Sequence, residues 1–383
     1  MNPQNQTYRV VMAAGGTGGH IYPAIAIAHG IRELVPGADV RFAGTRTHME
    51  WTAVPEAGYP IDSIWISGFQ RRLTPENLLF PVKLITSLFQ SWNILRRVRP
   101  HAVVCCGGYV AGPVGYVAAK MGIPLILQEQ NSYPGVTNRL LGKHATLVFT
   151  AFNDANLYFP KDRVRLEGNP IRTDLLEGNR QRAAENMELD PHRKTLTIMG
   201  GSGGAKAIND AVRGCLDELH HKHELQIIWQ CGKRYYEAIR AGLNENEYPN
   251  LRLRAFLDDM PGIYALSDLV VCRAGASTIS ELMATATPSL LIPSPNVAGD
   301  HQRKNAIAVV SKGAADMLTD DKLDEKLAAR IHHLMGSELN LAEMQTNARK
   351  LGKPEAQLRI AQAILRRSHP HPETLNLPDP DHE

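Results

Sequence analysis

The chain has 383 residues, of which 43% are hydrophobic and 21% are charged, and its formal net charge is +3. This composition is typical of a folded protein with room for two domains, and it excludes an intrinsically disordered chain. The net charge is too small to indicate nucleic acid as a partner.

Cysteine usage and the N-terminal residues indicate the compartment. The five cysteines form neither a CxxC pair nor a disulfide ladder, which fits a reducing cytosol. The polar start MNPQNQTYR lacks the pattern of a signal peptide. No apolar run approaches the roughly 20 residues that cross a bilayer. We therefore expect neither secretion by that route nor a membrane span.

Apolar, strand-like runs alternate with helical segments along most of the chain. They fall into two series, which are separated by GNPIRTDLL at 168–176. Such alternation predicts an α/β protein with parallel sheets and helices on both faces. We expect one domain over 1–169 and a second over 170–352, with a helix over 353–368 that packs back onto the first domain. The tail, 369–383, is proline-rich and polar and is predicted to be disordered.

Each series opens with a strand, a glycine turn of the form GGxGG and a helix start. The two copies are VVMAAGGTGGHIYPA at 10–24 and TIMGGSGGAKAIND at 197–210. Because glycine lets the backbone approach a ligand and a helix N-terminus offers N–H groups, the pattern favours a phosphate; a tight turn without a ligand is the alternative. The spacing differs from GxGxxG, which argues against NAD. The repeat predicts two Rossmann-like domains that face a central cleft.

His20 directly follows the first glycine turn, where the helix dipole favours a neutral imidazole. A neutral imidazole accepts protons, so His20 is a candidate general base. The alternative is a histidine that caps the helix or packs against it.

Polar side chains also gather where other predicted strands end, in CGGYVAGP, QEQN, RAGASTISELMA and GDHQRKNA. In α/β sheets, ligands bind at the carboxyl ends of the strands. Amide side chains there suit sugar hydroxyls, although an ordinary polar helix start is the alternative. Thr278 and Glu281 have the spacing of a capping box, which on spacing alone we prefer to a contact between Glu281 and a ribose.

Several well-known site patterns are missing from the sequence. It lacks HExxH, P-loop and zinc-ligand spacings, and its one Asp-x-Asp lies in the tail at 379–381. We therefore predict no metal site, and a metal-dependent sugar transferase of the DxD kind is disfavoured.

The stretch at 71–99, RRLTPENLLFPVKLITSLFQSWNILRRVR, combines large apolar residues with six basic residues and one acid, Glu76. This mixture suits helices that lie on an anionic membrane surface. A core helix with a solvated basic end is the alternative, and the residues alone favour it because most apolar helical stripes are core.

Eight segments, in chain order, resemble the MurG family: GGTGGH, CCGGYVAGP, QEQN, GNPIR, GGSGGAK, FLDDM, RAGASTISEL and DHQRKNA. These are the UDP-N-acetylglucosamine:undecaprenyl-diphospho-muramoylpentapeptide transferases of bacterial cell-wall synthesis. The similarity runs from about residue 8 to 366. It implies a GT-B fold of two Rossmann-like domains. It also implies a reaction in which the 4-hydroxyl of the muramoyl sugar of lipid I attacks UDP-GlcNAc, with inversion, to give lipid II and UDP.

The resemblance assigns the acceptor side of the site to residues of the first domain. It implies that His20 is the base and that Tyr109 is also catalytic, and Tyr109 and Asn131 match family positions lining the acceptor and sugar side. The residues implied to hold the acceptor diphosphate are Gly15, Gly16, Thr17, Gly18, Gly19, Gly107 and Gly108.

For the donor, the resemblance pairs Arg172 with Ser202 at the diphosphate and gives Glu281 the ribose hydroxyls and a catalytic role, which overrides the capping-box preference. Phe256 and Leu257 receive uracil. The full set implied for UDP-GlcNAc is Thr17, Gly18, Gly19, Asn131, Arg172, Ser202, Phe256, Leu257, Ala276, Ser277, Thr278, Glu281, Gln302 and Asn305.

Three positions depart from the family pattern. Gly203 and Lys206 stand where glutamine and arginine are expected, and His301 stands where some relatives carry glutamine. The first departure is expected to loosen a donor contact, and none removes a residue named as essential.

The family's acceptor is tethered to a polyprenyl chain, which implies a peripheral enzyme on the cytoplasmic face of the bacterial inner membrane. The resemblance thus reverses the preference for a core helix at 71–99. The residues implied to meet anionic lipid are Arg71, Arg72, Leu79, Phe80, Lys83, Trp92 and Lys143. The implied partners are UDP-GlcNAc, lipid I, the membrane surface and proteins of cell-wall synthesis and division, without nucleic acid. UDP-GlcNAc is a substrate, so no cofactor is expected.

Overall fold

The apolar run RVVMAA forms an inner strand of a parallel sheet in the computed structural model, which describes residues 7–68, 79–222, 225–375 and 377. For residues 221, 222, 245 and 298 the backbone alone is described. The chain divides by its internal contacts into two units, Met1–Ile171 with Glu355–Glu383 and Arg172–Pro354.

The first unit contains parallel strands in the order β3-β2-β1-β4-β5-β6-β7. These strands are β1 (Arg9–Ala14), β2 (Asp39–Gly44), β3 (Ile61–Ser63), β4 (Ala102–Gly107), β5 (Leu125–Glu129), β6 (Leu147–Thr150) and β7 (Val164–Leu166). The helices between them are α1 (Gly18–Leu34), α2 (Glu50–Glu56), α3 (Phe80–Val98), α4 (Gly108–Lys120) and α5 (Val136–Gly142).

Side chains of β1 alternate between two helical layers. Val10 and Met12 lie in a buried cluster with residues of α1, whereas Val11 and Ala13 lie in a cluster with residues of α3 and α4. This alternation follows from the two-residue period of a strand, and burial of both faces is typical of parallel sheets. The continuous apolar run of β1 is therefore explained by its position between the two layers.

The second unit contains parallel strands in the order β10-β9-β8-β11-β12-β13. These strands are β8 (Thr195–Met199), β9 (Gln226–Gln230), β10 (Leu251–Arg254), β11 (Leu269–Arg273), β12 (Ser289–Ile292) and β13 (Asp316–Met317). The helices are α6 (Arg180–Met187), α7 (Lys206–Lys222), α8 (Lys233–Ala241), α9 (Met260–Leu266), α10 (Ala276–Ala284), α11 (His301–Val310), α12 (Leu323–Met335) and α13 (Glu338–Leu351). Short 3-10 helices occur in both units. In the first unit they lie at Asn153–Tyr158, Lys161–Arg163 and Pro372–Thr374, and in the second at Thr173–Glu177, Glu245–Glu247, Ala298–Asp300 and Asp320–Lys322.

Both units share one strand order around their switch point. In each, the first strand pairs with the second on one side and with the fourth on the other, as β1 does with β2 and β4, and β8 with β9 and β11. Ligands of open α/β sheets bind at such a reversal, beside the carboxyl ends of the two strands. We therefore expect each Rossmann-like unit to bind a ligand at two of its loops. These are the loops after β1 and β4 in the first unit, and those after β8 and β11 in the second.

The last helix, α14 (Ala356–Ser368), belongs to the first unit and packs on α1. The prediction that the tail is disordered is wrong for its described part, 369–375 and 377. The His369 ring lies 5.1 Å from the Tyr8 ring, and Leu375 and Leu377 pack against the first unit's core. The polar composition of the tail predicted disorder. Composition alone does not show that Leu375 and Leu377 pack against the apolar core.

Helix α3 presents apolar side chains on two of its faces. Ile94, Leu95 and Val98 are buried in the core of the first unit, whereas Ile85 and Phe89 are 69% and 63% exposed. Within the described ranges, none of the helices is both long and apolar enough to cross a membrane.

Candidate active site

The first glycine loop connects β1 to α1 and places a histidine beside a threonine. Helix α1 begins at Gly18, and Thr17 is its N-cap residue, with an extended backbone. Thr17 Oγ1 and His20 Nδ1 are 3.1 Å apart, so the hydroxyl orients the imidazole. The loop thus places a helix start, which is suited to bind an anion, beside an imidazole, a group that is able to accept a proton.

A second loop, after β4, lies against the first. The backbone at Gly108 has a φ of +77°, and a Cβ there would lie 2.1 Å from the carbonyl oxygen of Gly15, so a side chain would separate the two loops. A Cβ at Gly107 would lie 2.7 Å from His20 Cδ2, which places the imidazole directly over that residue. The structure therefore brings together His20 and the two loops that are predicted to hold the acceptor.

Tyr109 follows this second loop, and its ring lies over the first. A Cβ at Gly16 would approach Tyr109 Cε1 to 3.0 Å. The buried phenol oxygen has no hydrogen-bond partner of good geometry in the part of the chain that the structure describes. Burial raises the pKa of this phenol, an effect that Thr45 opposes and Glu50 reinforces. Tyr109 is therefore a neutral hydrogen-bond donor beside Gly16.

Asn131 is held by Glu129, a buried acid at the end of β5 that the site prediction left out. The Glu129 carboxylate accepts hydrogen bonds from Asn131 N at 3.0 Å, Gly135 N at 3.1 Å and Asn138 Nδ2 at 2.9 Å. Burial raises the pKa of Glu129, and these donors oppose that effect. In the sequence, the signal for Glu129 is its position at the end of an apolar, strand-like run, LILQE.

The second unit's glycine loop, between β8 and α7, carries Ser202 in an exposed turn. Gln230 ties this loop to the end of β10, because its Nε2 donates to the carbonyls of Gly201 at 3.1 Å and Ala255 at 3.3 Å. Phe256, the next residue, is 42% exposed and lies under Lys233 Nζ at 5.7 Å, whereas Leu257 is buried. Gln230 thus connects the predicted diphosphate loop to the predicted uracil residues, a role that its sequence context did not reveal.

Two neighbouring glycines of this loop provide a matched test. Gly204 has a φ of +74°, and a Cβ there would lie 2.1 Å from the Cys231 carbonyl oxygen, whereas a Cβ at Gly203 meets nothing within 4 Å among the described residues. We expect Gly204→Ala to destabilise the protein by about 2 kcal/mol through backbone strain. It should also weaken UDP binding. Gly203→Ala should change both quantities little. Urea unfolding and calorimetric titration with UDP measure the difference, and equal behaviour of the two variants would contradict this description of the loop.

The capping box predicted at Thr278 and Glu281 is wrong. Helix α10 begins at Ala276 with Gly275 as its N-cap residue, so both side chains lie inside the helix. Spacing alone could not locate the helix start, because a threonine and a glutamate three residues apart fit equally well inside a helix. Ser277 Oγ is buried and has no hydrogen-bond partner in the described ranges, and Ala276 is also buried.

Glu281 belongs to a charged cluster in the second unit. Its carboxylate accepts a hydrogen bond from the Tyr264 hydroxyl at 2.7 Å. Burial raises the pKa of Glu281, while Tyr264 and Arg172 lower it. The exposed Arg172 guanidinium also lies 3.5 Å from Asp174. Arg172 and Glu281 are therefore close in space, as a shared donor site requires.

The remaining residues that are predicted to bind the donor lie on α11. Gln302 Oε1 accepts a hydrogen bond from Ser294 N at 2.8 Å, and Asn305 is fully buried. Of the positions that depart from the family pattern, Lys206 pairs with Asp210 along α7 at 2.5 Å, and His301 begins α11. Gln302 thus holds the preceding turn through its amide oxygen.

The predicted membrane residues fall into separate environments. Leu79 and Trp92 are 50% and 37% exposed, and Lys143 is exposed. Phe80 is partly buried against the first unit's core. Lys83 Nζ donates to Ser67 Oγ at 3.1 Å. Arg71 and Arg72 lie outside the described residues. In the same described part of the chain, no group of His, Cys, Asp or Glu side chains has the arrangement of a metal site.

Two Rossmann-like units with glycine loops at their switch points are the architecture of the GT-B fold, and the family comparison adds the class, a glycosyltransferase. Family profiles agree: residues 10–150 match the glycosyltransferase family 28 N-terminal domain, and 195–360 match the family 28 C-terminal domain. The chain belongs to glycosyltransferase family 28 and, within it, to the MurG family, which confirms the resemblance and the fold class.

The relatives are similar along almost their whole length. The UDP-N-acetylglucosamine--N-acetylmuramyl-(pentapeptide) pyrophosphoryl-undecaprenol N-acetylglucosamine transferase of Flavobacterium psychrophilum is 40% identical over 94% of this chain and 98% of its own. The Salinibacter ruber protein of the same name is 42% identical over 93% and 96%. The crystal structure of Acinetobacter baumannii MurG superposes with a TM-score of 0.76, at 29% identity, over 94% of this chain and 99% of that one.

Proposed function

We propose that this enzyme transfers N-acetylglucosamine from UDP-GlcNAc to the 4-hydroxyl of the muramoyl sugar of lipid I, with inversion, and releases UDP and lipid II for peptidoglycan synthesis. The observation that carries the proposal is similarity along 93–94% of the chain to relatives named for this transfer. The contacts within each unit supply the groups that such a reaction needs.

The second unit is proposed to bind the donor. The N-terminus of α10 and the loop after β8 offer backbone N–H groups to the diphosphate, and Arg172 supplies a cation. These groups would offset the negative charge that develops on UDP as the glycosidic bond breaks, so the proposed transfer uses no metal or cofactor. Glu281 accepts hydrogen bonds from the ribose hydroxyls.

The first unit is proposed to bind the acceptor. Gly16–Gly19 and Gly107–Gly108 hold the diphosphate of lipid I, and Thr17 Oγ1 adds a hydroxyl at the start of α1. Tyr109 donates a hydrogen bond from its neutral phenol. Asn131, held by Glu129, reads sugar hydroxyls through its amide.

His20 is the proposed general base. In the tautomer whose Nδ1–H donates to Thr17 Oγ1, the Nε2 lone pair accepts the proton of the attacking hydroxyl. Thr17 therefore sets which imidazole nitrogen acts, and the lack of a side chain at Gly107 leaves room for the ring. As the proton moves to Nε2, the acceptor oxygen forms a bond to the anomeric carbon of GlcNAc, and the C–O bond to UDP breaks on the opposite face, so the configuration inverts.

Radiolabelled UDP-GlcNAc incubated with and without a lipid I analogue tests the reaction. Labelled disaccharide product and UDP should form only when the analogue is present, with inverted configuration at the transferred sugar. Conversion or hydrolysis of UDP-GlcNAc at the same rate without the analogue would contradict the proposal, because an epimerase or a hydrolase needs no acceptor.

We also propose that the exposed face of α3 attaches the enzyme peripherally to the cytoplasmic face of the inner membrane. Val82, Ile85, Phe89 and Trp92 follow helical spacing and are all exposed, and Phe89 and Trp92 stack at 6.0 Å. Arg96, over Trp92 at 5.0 Å, and Lys143 supply positive charge for anionic headgroups. An acceptor tethered to a polyprenyl chain requires such a surface.

The double variant Ile85→Ser/Phe89→Ser tests this attachment. Removing each side chain should lower partitioning onto anionic liposomes about tenfold, since burying one such group away from water contributes about 1.5–3 kcal/mol. Activity on a short-chain, water-soluble acceptor should stay unchanged. Ile94→Ser, on the buried face of the same helix, is the control and should lower stability. If the exposed pair also lost activity on the soluble acceptor, those side chains would be structural.

A further inference from the structure

Glu50, the first residue of α2, is a buried carboxylate to which the sequence assigned no role. Its side chain is 0% exposed, although buried acids are rare unless they are paired. Oε1 accepts hydrogen bonds from Thr45 N at 3.2 Å and from Thr45 Oγ1 at 2.6 Å. Oε2 accepts a hydrogen bond from Gly16 N, in the first glycine loop, at 3.3 Å.

The backbone around Glu50 leaves space for this side chain. A Cβ at Gly44 would lie 2.8 Å from Glu50 Cγ, and a Cβ at Gly15 would lie 3.0 Å from Glu50 Oε1. The carboxylate therefore lies between the carboxyl ends of two adjacent strands, β1 and β2. Side chains at either glycine would displace it, so the geometry is built around the acid.

The hydrogen bond to Gly16 determines which amides of the loop face a ligand. Gly16 has a φ of +92° and directly precedes Thr17 and the first turn of α1. Because Glu50 accepts its N–H, that amide is turned away from the anion, and binding falls to the N–H groups of the helix start. The orientation of the peptide at Gly16 in turn sets the positions of Thr17 and His20, which follow it.

No described cation lies within ion-pair distance of Glu50, so its charge is held by hydrogen bonds alone. A buried charge without a counter-ion is costly, and a neutral residue would fold more readily at this position. A carboxylate beside a loop that binds phosphate also repels the ligand at long range. A role of Glu50 in shaping the glycine loop for its ligand would explain why an acid occupies this position despite the cost of burying it.

We propose that Glu50 is a positioning residue for the acceptor: by accepting the Gly16 N–H, it orients the first glycine loop so that the amides of α1 and the Thr17–His20 pair meet the acceptor diphosphate. This rests on the proposed function, which places the acceptor on that loop. Glu50 touches neither substrate; it acts through Gly16.

Glu50→Gln and Thr45→Val separate the hydrogen bond to the loop from the others. In Glu50→Gln the amide oxygen continues to accept from Thr45, while the NH₂ group opposes the Gly16 N–H and breaks that bond. Thr45→Val removes the hydroxyl bond to the same carboxylate and leaves the Gly16 bond in place. Both changes are buried, so they are matched in their structural cost.

Steady-state kinetics with a soluble lipid I analogue provide the readout. Glu50→Gln should raise the acceptor KM about tenfold, the contribution of one well-placed hydrogen bond, and leave the UDP-GlcNAc KM unchanged. Thr45→Val should leave both constants near the wild-type values. Equal increases in the two KM values, or the same change in both variants, would overturn the proposal and make Glu50 merely structural.

The amide proton of Gly16 gives a test that does not depend on catalysis. In wild-type protein its NMR signal should be shifted downfield by the carboxylate and should move upfield in Glu50→Gln but not in Thr45→Val. An unshifted wild-type signal would overturn the inference even if the glutamine variant failed to fold. A downfield signal in wild-type protein would show that the hydrogen bond exists. If Glu50→Gln nevertheless kept the wild-type acceptor KM, the role of that hydrogen bond in acceptor binding would be rejected. If the enzyme transferred no sugar at all, the proposed function would fail while the amide measurement still stood.

Discussion

Replacing His20 with alanine is expected to lower kcat for sugar transfer by about 10²–10⁴-fold, the usual contribution of a general base. The imidazole is the proposed base of the first glycine loop, and its contact with Thr17 fixes its orientation. UDP-GlcNAc affinity should change little, because the proposed contacts to the nucleotide lie in the second unit. Single-turnover kinetics and calorimetry measure the two effects separately.

His144→Ala is a suitable control for this change. His144 is an exposed histidine in the same unit, after α5, and it has no role in the proposed site. Its replacement should leave kcat and the donor dissociation constant unchanged. Wild-type kcat in His20→Ala would reject the histidine as the base, and an equal loss in both variants would indicate a general defect of the unit.

Replacing Glu281 with glutamine is expected to weaken UDP binding by about 10- to 100-fold, because hydrogen bonds to a charged acceptor contribute about 1.5–3 kcal/mol. The carboxylate is the proposed acceptor for two ribose hydroxyls, and glutamine presents one oxygen and no charge. UDP that lacks the 2′-hydroxyl should bind wild-type protein more weakly than UDP, and the variant should discriminate less between the two. Calorimetric titration of both nucleotides against both proteins measures this coupling.

The same substitution is expected to stabilise the ligand-free protein. Burial raises the pKa of Glu281 in the folded state above its ordinary carboxyl value, so the folded state binds the proton more tightly than the unfolded chain. The acid therefore lowers stability as the pH rises through its folded-state pKa, and the loss persists at neutral pH. Glu281→Gln should unfold at a higher urea concentration than wild type at pH 7. Lower stability together with unchanged UDP binding would contradict the assigned role.

Local patterns in the sequence were sufficient for the architecture. Apolar runs such as RVVMAA and the glycines after them specify a strand and the turn that follows, and these signals need no knowledge of distant residues. Parallel pairing then brings the ends of β1 and β4 together, and with them Gly15 and Gly108.

The residues that support the site were not predictable in this way. Glu50 contacts Gly16, which is 34 positions away, and Gln230 contacts Gly201, which is 29 positions away. Each lies in an unremarkable local sequence, because its role depends on strands that meet only in the folded chain. The capping box at Glu281 and the disordered tail were wrong for a related reason: a short motif does not locate a helix start, and composition does not reveal that Leu375 reaches the core.

Photoaffinity labelling tests the central claim, that the nucleotide binds the second unit and the acceptor diphosphate binds the first. UDP-GlcNAc with a photoreactive uracil should label peptides containing Phe256 and Leu257, and a lipid I analogue with a photoreactive group beside its diphosphate should label peptides containing Gly16–His20 or Gly107–Tyr109, as read by mass spectrometry. Unlabelled substrate should suppress each label. Uracil labelling of the first glycine loop, or acceptor labelling of Gly200–Gly204, would contradict the assignment of the two sites.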